Sequence, residues 1–393
     1  MSTSNSHIML MSAEPKLSGA DGPYAKLEQN RLELIFVSKS GNVIRESRSP
    51  KLNSIICHVD NDSEDSFVLS LQPTLPVEQP PSEYSAPRSI VVISDIEGNF
   101  DALYSLLVSN EIINSNFEWI FNDNDLVILG DATDKGQNVT QCLWLIYHLE
   151  YQAQMQGGKV HYLLGNHELM NFLFDVRYVP DKYLALARKI SGVNDLTEAY
   201  RVLMDHNTIL IDWIKKRNCI EKIGDTLFVH AGISPEFFYH ELSIHQTNSI
   251  LHQYLNNEYV DPILAEAVIG GLGPLWYRGF VRSSTREDSY EKVEEVFIDQ
   301  VLEFYRVKRI VIGHTLVDHV SSDYHGKVWR VDFLHAQERL SKKSEALLIE
   351  DDNIFRINGV GKKRLLQKSR SKRIGSVTGV RRLTALFNNN HTR

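Results

Sequence analysis

Short apolar runs that stop abruptly at a polar loop recur through the middle of the chain. Ile90-Val91-Val92-Ile93 runs into Ser94-Asp95, Leu126-Val127-Ile128-Leu129 into Gly130-Asp131, and Val160 to Leu164 into Gly165-Asn166-His167-Glu168. Thr226 to Val229 leads to His230-Ala231-Gly232, and Arg309 to Ile312 to Gly313-His314-Thr315. Such runs, bounded by turn residues, predict buried strands. Longer stretches, Val139 to Gln156 and Asp181 to Lys189, predict helices between them, and Asn99 or Asp101 can cap a helix carrying Leu103, Leu106 and Leu107. Strands alternating with helices predict an α/β fold whose strand ends gather polar groups in one place.

The flanks read differently. Residues up to about 30 are rich in Ser, Asn, Gly and Pro and read as mobile. Leu32 to Val37 and the apolar positions after Asn42 flank Ser40-Gly41-Asn42, a hairpin signal, and Val68 to Leu71 predicts another strand. Five prolines between Pro73 and Pro87 mark a linker. At the other end, Lys362, Lys363, Arg364, Lys368, Arg370, Lys372, Arg373, Arg381 and Arg382 have no acidic residue among or after them. The expected division is an N-terminal extension with a small β unit (1–87), a main domain (88–358) and a flexible or partly helical basic tail (359–393).

Composition narrows the picture. With 393 residues, 42% hydrophobic and 23% charged, the chain suits one large domain with extensions, or two domains. It holds no apolar run of about 18 residues, so no transmembrane helix is expected. Met1 to Leu10 lacks a basic stretch followed by an apolar one, so no secretory signal is expected. Cys57, Cys142 and Cys219 lie far apart and read as buried thiols. These features point to the cytoplasm, or to export without a signal peptide. The net charge of −8 argues against nucleic-acid binding by the whole chain. The basic tail is expected to be solvated, with contact to anionic surfaces as the alternative.

The candidate chemistry lies at the strand ends. Asp95, Glu97, Asp131, Asn166, His230 and His314 supply mostly oxygen donors and two imidazoles. That mixture suits Mn²⁺, Fe or Zn²⁺ better than Mg²⁺ or Ca²⁺ alone. Two cations about 3.5–4 Å apart need a bridging carboxylate, for which Asp131 is the natural candidate, and they acidify a bridging water into a nucleophile. His167, beside Asn166, is placed to act as an acid, with Asp134 as its orienting carboxylate.

These stretches resemble the phosphoprotein phosphatase family of metallophosphoesterases. The resemblance rests on Ser94-Asp95-Ile96-Glu97-Gly98-Asn99, Gly130-Asp131-Ala132-Thr133-Asp134-Lys135-Gly136, Gly165-Asn166-His167-Glu168, His230-Ala231-Gly232, Arg278-Gly279 and Gly313-His314-Thr315. Leu169-Met170-Asn171, Arg177-Tyr178-Val179 and Pro274-Leu275-Trp276-Tyr277-Arg278-Gly279 are similar to its bacterial, Shewanella-like branch. The resemblance implies a calcineurin-like β-sandwich flanked by helices. It implies two divalent ions, Mn²⁺ first among them, and phosphoprotein substrates, phosphotyrosine as well as phosphoserine or phosphothreonine. Residue by residue, it makes Asp95 and Glu97 ligands of one metal, Asp131 the bridge, and Asn166, His230 and His314 ligands of the other. His167 becomes the general acid, partnered by Asp134, while Arg278 and Lys135, with Asn166, bind phosphate. Trp276 and Tyr277 are candidates for a pocket wall, or else a core pair.

Ser94 stands where the family has Gly before the first Asp, and two further positions depart from the family pattern. Glu97 stands where the family has His, and Lys135 where it has Arg. Glu97 either ligates in place of the imidazole or turns away. Lys135 keeps the charge but loses the two-point grip on phosphate. A small-molecule phosphoesterase, such as a dinucleoside polyphosphate hydrolase, and a decayed binding module are the alternative readings.

Overall fold

The apolar runs pair as expected. Ser89–Ile93 lies parallel to Asp125–Leu129, and Asp125–Leu129 parallel to Lys159–Leu163. Thr226–Val229 lies parallel to Arg309–Ile312, which is parallel to Val328–Arg330. The structure, a computed structural model, describes residues 14–51, 54–71, 79–281 and 291–369. The two parallel trios sit in separate six-stranded sheets. One sheet is completed by Glu345–Glu350, Asn353–Asn358 and Lys363–Gln367, the other by Ser321–Asp323, Ile220–Ile223 and Glu83–Tyr84.

The sheets face each other. Ile90, Val92, Val127, Leu129 and Leu347 from one meet Ile223, Phe228, Val311 and Trp329 from the other in a dry inner layer. Alternate residues of the same strands, Val91, Ile93, Leu126 and Ile128, point outward into a second core shared with the helices Phe100–Ser109 and Val139–Met155. Burial on both faces explains why these strands read as continuous apolar runs instead of alternating ones. The result is the expected β-sandwich flanked by helices. Asn99, not Asp101, caps the first helix, accepting from the Ala102 N–H.

The N-terminal extension does not stand apart. Asp21–Glu28, Arg31–Val37 and Val43–Arg48 form an antiparallel sheet whose Tyr24, Ile35 and Val37 pack on the helices Asp181–Ser191 and Leu196–Asp205. The buried Asp21 carboxylate accepts from Tyr24 Oη, Thr140 Oγ1 and Gln141 Nε2, stitching the first strand to the helix Val139–Met155. Ser54–His58 and Ser66–Ser70 form a separate ribbon. The proline-rich stretch is in part an edge strand, since Glu83–Tyr84 pairs with Lys222 and Ile223. The tail boundary also moves: Lys363–Gln367 is a paired strand, not a flexible or helical tail, because it completes the edge beside Asn353–Asn358. The basic residues from Arg370 onward lie outside the described residues. All three cysteines are buried and free. Among the described residues no helix is long and apolar enough to cross a membrane.

Candidate metal centre

Each of the six parallel strands delivers one polar residue just beyond its C-terminal end. One sheet supplies Asp95, Asp131 and Asn166, and the other His230, His314 and Asp332. Asp332 belongs to no motif and is missed by sequence reasoning, because its strand is only three residues long. The available signal is Val328-Trp329-Arg330-Val331 ending at Asp332, which repeats the apolar-then-acid pattern of the other ends.

The loops that present these groups are tightly bent. Asp95, Glu97, Asp131, Asp134, Lys135 and His314 all have left-handed backbones, with φ between 47° and 70°. A non-glycine residue in that region costs about 1 kcal/mol or more, so six together mark a conformation enforced by its surroundings. Glu168 provides much of that enforcement. Its buried carboxylate accepts from the N–H groups of Asp131, Ala132, Thr133 and Gly165 and from Thr133 Oγ1, at 2.8–3.1 Å. Gly165 is required here: a Cβ would collide with Asp131 Oδ1. Gly313 likewise leaves room for Ser94, whose hydroxyl donates to Asp95 Oδ2 at 2.5 Å.

Asp131 lies where two groups of donor atoms overlap. Its carboxylate converges with His230 and His314, and also with Glu97 and His167. His230 Nδ1–H donates to the Leu129 carbonyl at 2.7 Å, which turns the other nitrogen, Nε2, to Asp131 Oδ2 at 3.3 Å and Asn166 Oδ1 at 3.1 Å. His314 Nε2–H donates to the Trp276 carbonyl at 2.9 Å, leaving Nδ1 without that proton. His314, with a carbonyl on one ring nitrogen and a lone pair on the other, has the tautomer a metal-binding imidazole needs, and the Leu129 carbonyl aims the opposite nitrogen of His230 at the Asp131 carboxylate. His167 Nδ1–H donates to Asp134 Oδ2 at 2.7 Å, and its Nε2 lies 3.9 Å from Asp131 Oδ2.

The charge balance points the same way. Burial and then the neighbouring Asp332 push Asp95 well above the ordinary carboxylate value. Burial, then Glu97 and Asp131, raise Asp332 to about 7. Burial alone would raise Asp131, but His230, His167 and His314 hold it low. Burial would depress His230, but Asp131 outweighs it and draws the ring up to about 10. Burial, with His230 and Arg278 nearby, keeps His314 well below its ordinary value. Four crowded carboxylates opposite neutralisable imidazoles are a donor set that divalent cations satisfy.

The calcineurin-like phosphoesterase family profile matches residues 88–318, more than half of the chain. The chain belongs to this family. It is similar to an uncharacterised protein of Schizosaccharomyces pombe, 30% identical over 63% of this chain and 73% of that one. It is similar also to Shewanella-like protein phosphatase 2 of Arabidopsis thaliana, 24% identical over 70% and 78%. The crystal structure of the cold-active protein-tyrosine phosphatase of a psychrophilic Shewanella superposes with a TM-score of 0.74 at 29% identity, covering 89% of this chain and all of that one. Calcineurin-like phosphoesterases use a dinuclear divalent metal centre, and the donor groups described above are the candidates for it in this metallophosphoesterase.

Two of the departures from the family pattern turn out to be one feature. Lys135 Nζ forms an ion pair with Glu97 Oε1. Burial would lower Lys135, but Glu97 outweighs it and raises the ammonium. The cation expected on the phosphate is thus held by the carboxylate expected on the metal. Arg278 Nη1 donates to the His314 carbonyl at 2.5 Å and to Thr315 Oγ1 at 3.3 Å, which keeps its guanidinium beside the second donor group. Trp276 is partly buried, with its ring 6.3 Å from that of His314. Of the two readings left open for Tyr277, the core one holds: its ring is buried and packed against Phe280. An exposed aromatic among the described residues at this calcineurin-like centre is Tyr178, 48% exposed, with its ring 5.0 Å from His167 and 5.9 Å from Lys135 Nζ.

Proposed function

We propose that the protein is a protein phosphatase that hydrolyses phosphate monoesters, phosphotyrosine first and phosphoserine or phosphothreonine second. The observation that carries this reading is the His167–Asp134 pair beside Asp131, because a phosphomonoesterase of this kind needs an acid next to its metal ligands. The named Shewanella-like relatives support a phosphoprotein substrate. The half-exposed Tyr178 ring beside His167 supports an aryl leaving group, since offset aromatic contacts favour one another.

In this reading Asp95, Glu97 and Asp131 would hold one cation and Asp131, Asn166, His230 and His314 the other, with Asp332 beside the first. When bound, the two cations supply Lewis acidity toward the phosphate oxygens and an activated water. His167 then acts from Nε2. Burial would lower its pKa, but the Nδ1–H bond to Asp134 and the Asp131 charge outweigh it and raise it, which favours the protonated ring as the donor to the leaving oxygen. Arg278, anchored on the His314 carbonyl, is the phosphate-binding guanidinium. Lys135 acts by holding Glu97, not by a direct grip on phosphate. Manganese is the proposed metal, from the mixed carboxylate, amide and imidazole donors.

The test is a substrate panel with Mn²⁺ and other divalent ions: a phosphotyrosine peptide, a phosphoserine peptide and a dinucleoside polyphosphate. The phosphotyrosine peptide should be turned over fastest, and His167→Ala should lower its rate by about 10²–10⁴-fold. Faster cleavage of the dinucleotide would favour a small-molecule phosphoesterase. Absence of turnover with every metal would refute a catalytic role.

A further inference from the structure

Asn171 lies one turn after His167 in the helix Asn166–Phe172, so the two share a face. Its side-chain amide is buried and fully engaged. Nδ2 donates to Asp134 Oδ1 at 2.9 Å and to the His167 carbonyl at 2.7 Å, and Oδ1 accepts from the Tyr200 hydroxyl. An amide has two N–H donors, and both are used; flipping it would set a carbonyl oxygen against the Asp134 carboxylate. The orientation is therefore fixed, and with it the Asp134 oxygen opposite the one that receives His167 Nδ1–H.

Tyr200 is itself held from behind. It sits on the helix Leu196–Asp205, which packs with Tyr183, Leu184 and Leu186 of the neighbouring helix and with Tyr24, Ile35 and Val37 of the N-terminal sheet. Burial, then the Asp134 charge, keeps the phenol protonated and hence a donor. A line of hydrogen bonds thus runs from a helix packed on the N-terminal sheet through Tyr200, Asn171 and Asp134 to the imidazole.

We propose that Asn171, held by Tyr200, is a positioning residue for the Asp134–His167 pair, fixing the angle at which His167 presents its proton to the leaving oxygen. The proposal rests on His167 being the general acid. It gives a purpose to Asn171 and to the N-terminal sheet, whose Tyr24, Ile35 and Val37 reach the pair only through the helix that carries Tyr200. A poorly aimed acid slows departure of basic leaving groups more than acidic ones, because the latter leave with little proton transfer.

The experiment measures kcat and KM with phenyl phosphate and p-nitrophenyl phosphate for the full chain and for Tyr200→Phe, Asn171→Leu and His167→Ala, with folding checked by circular dichroism. Both relay variants should lower kcat on phenyl phosphate about tenfold, the size of one aimed hydrogen bond, while p-nitrophenyl phosphate stays within about twofold and KM is unchanged. Equal losses on the two substrates, or no loss on either, would overturn the proposal. Tyr200→Phe deletes a single oxygen and decides the matter if Asn171→Leu does not fold. If His167→Ala itself shows no leaving-group selectivity, the general-acid reading fails, and that result is separate from a failure of the relay alone.

Discussion

Glu97 and Lys135 carry the chemistry that sets this chain apart. Where the family pattern has a neutral imidazole and a guanidinium, an ion pair of zero net charge replaces a pair of charge +1. Replacing Glu97 with His should therefore leave the fold intact, release Lys135 and shift the metal preference toward softer ions such as Zn²⁺. The check is activity across a metal series for Glu97→His and the wild type, and an unchanged profile would mean that Glu97 is not a ligand. At this scale the sequence was informative wherever residue type and strand end coincided. Asn166, His230, His314 and Asp131 fall together as expected, and so do His167 and Asp134. The Glu97–Lys135 contact was not legible, because it joins two loops from neighbouring strands that only the parallel pairing brings together. Asp332 was hidden by the brevity of its strand, and Tyr277 stayed open because an aromatic next to an arginine reads the same whether it lines a pocket or fills a core.

Among the elements, the loop Gly130 to Thr133 is held by a carboxylate that is neither a ligand nor an acid. Glu168 receives five donors, and its position three residues after Gly165 lets it cap its own helix while gripping that loop. Glu168→Gln keeps the shape but turns one acceptor into a donor facing N–H groups. It should destabilise the protein by about 1–3 kcal/mol and lower the melting temperature measured by calorimetry. An unchanged melting temperature would show that the loop is held by other contacts. The strands with apolar runs were legible because burial on both faces leaves no polar alternation to misread. Lys363–Gln367 was not, since three of its five residues, Lys363, Arg364 and Gln367, are polar and the strand is mostly exposed at a sheet edge.

For the molecule as a whole, the two sheets are joined by more than apolar packing. His161 Nδ1 lies 2.7 Å from Glu221 Oε2 in the opposite sheet, and Nε2 lies 3.3 Å from Asp125 Oδ2 in its own. Burial would lower the imidazole, but the two carboxylates outweigh it and raise it to about 9. A folded value above the unfolded one means that the stabilisation is fully present below about pH 6.5 and is lost as pH rises through about 9. Urea unfolding of the wild type should therefore give a stability that falls over that window. His161→Gln should be less stable near neutrality and nearly flat across it. A parallel fall in both proteins would assign the pH dependence elsewhere. The extension at the N-terminus was legible as a β unit only from Leu32 onward; Asp21–Glu28, in the stretch read as mobile, is its first strand, and its union with the helical core was hidden because Asp21 and Tyr24 give no sign in sequence of the helices they meet.

The central claim is that the strand ends converge on two cation sites sharing Asp131. Elemental analysis of the purified chain, stripped, reloaded with Mn²⁺ and desalted, tests it most directly. Two equivalents per chain are predicted for the wild type, with Asp131→Asn losing at least one. Fewer than one equivalent in the wild type at saturating metal, or two retained by Asp131→Asn, would contradict it.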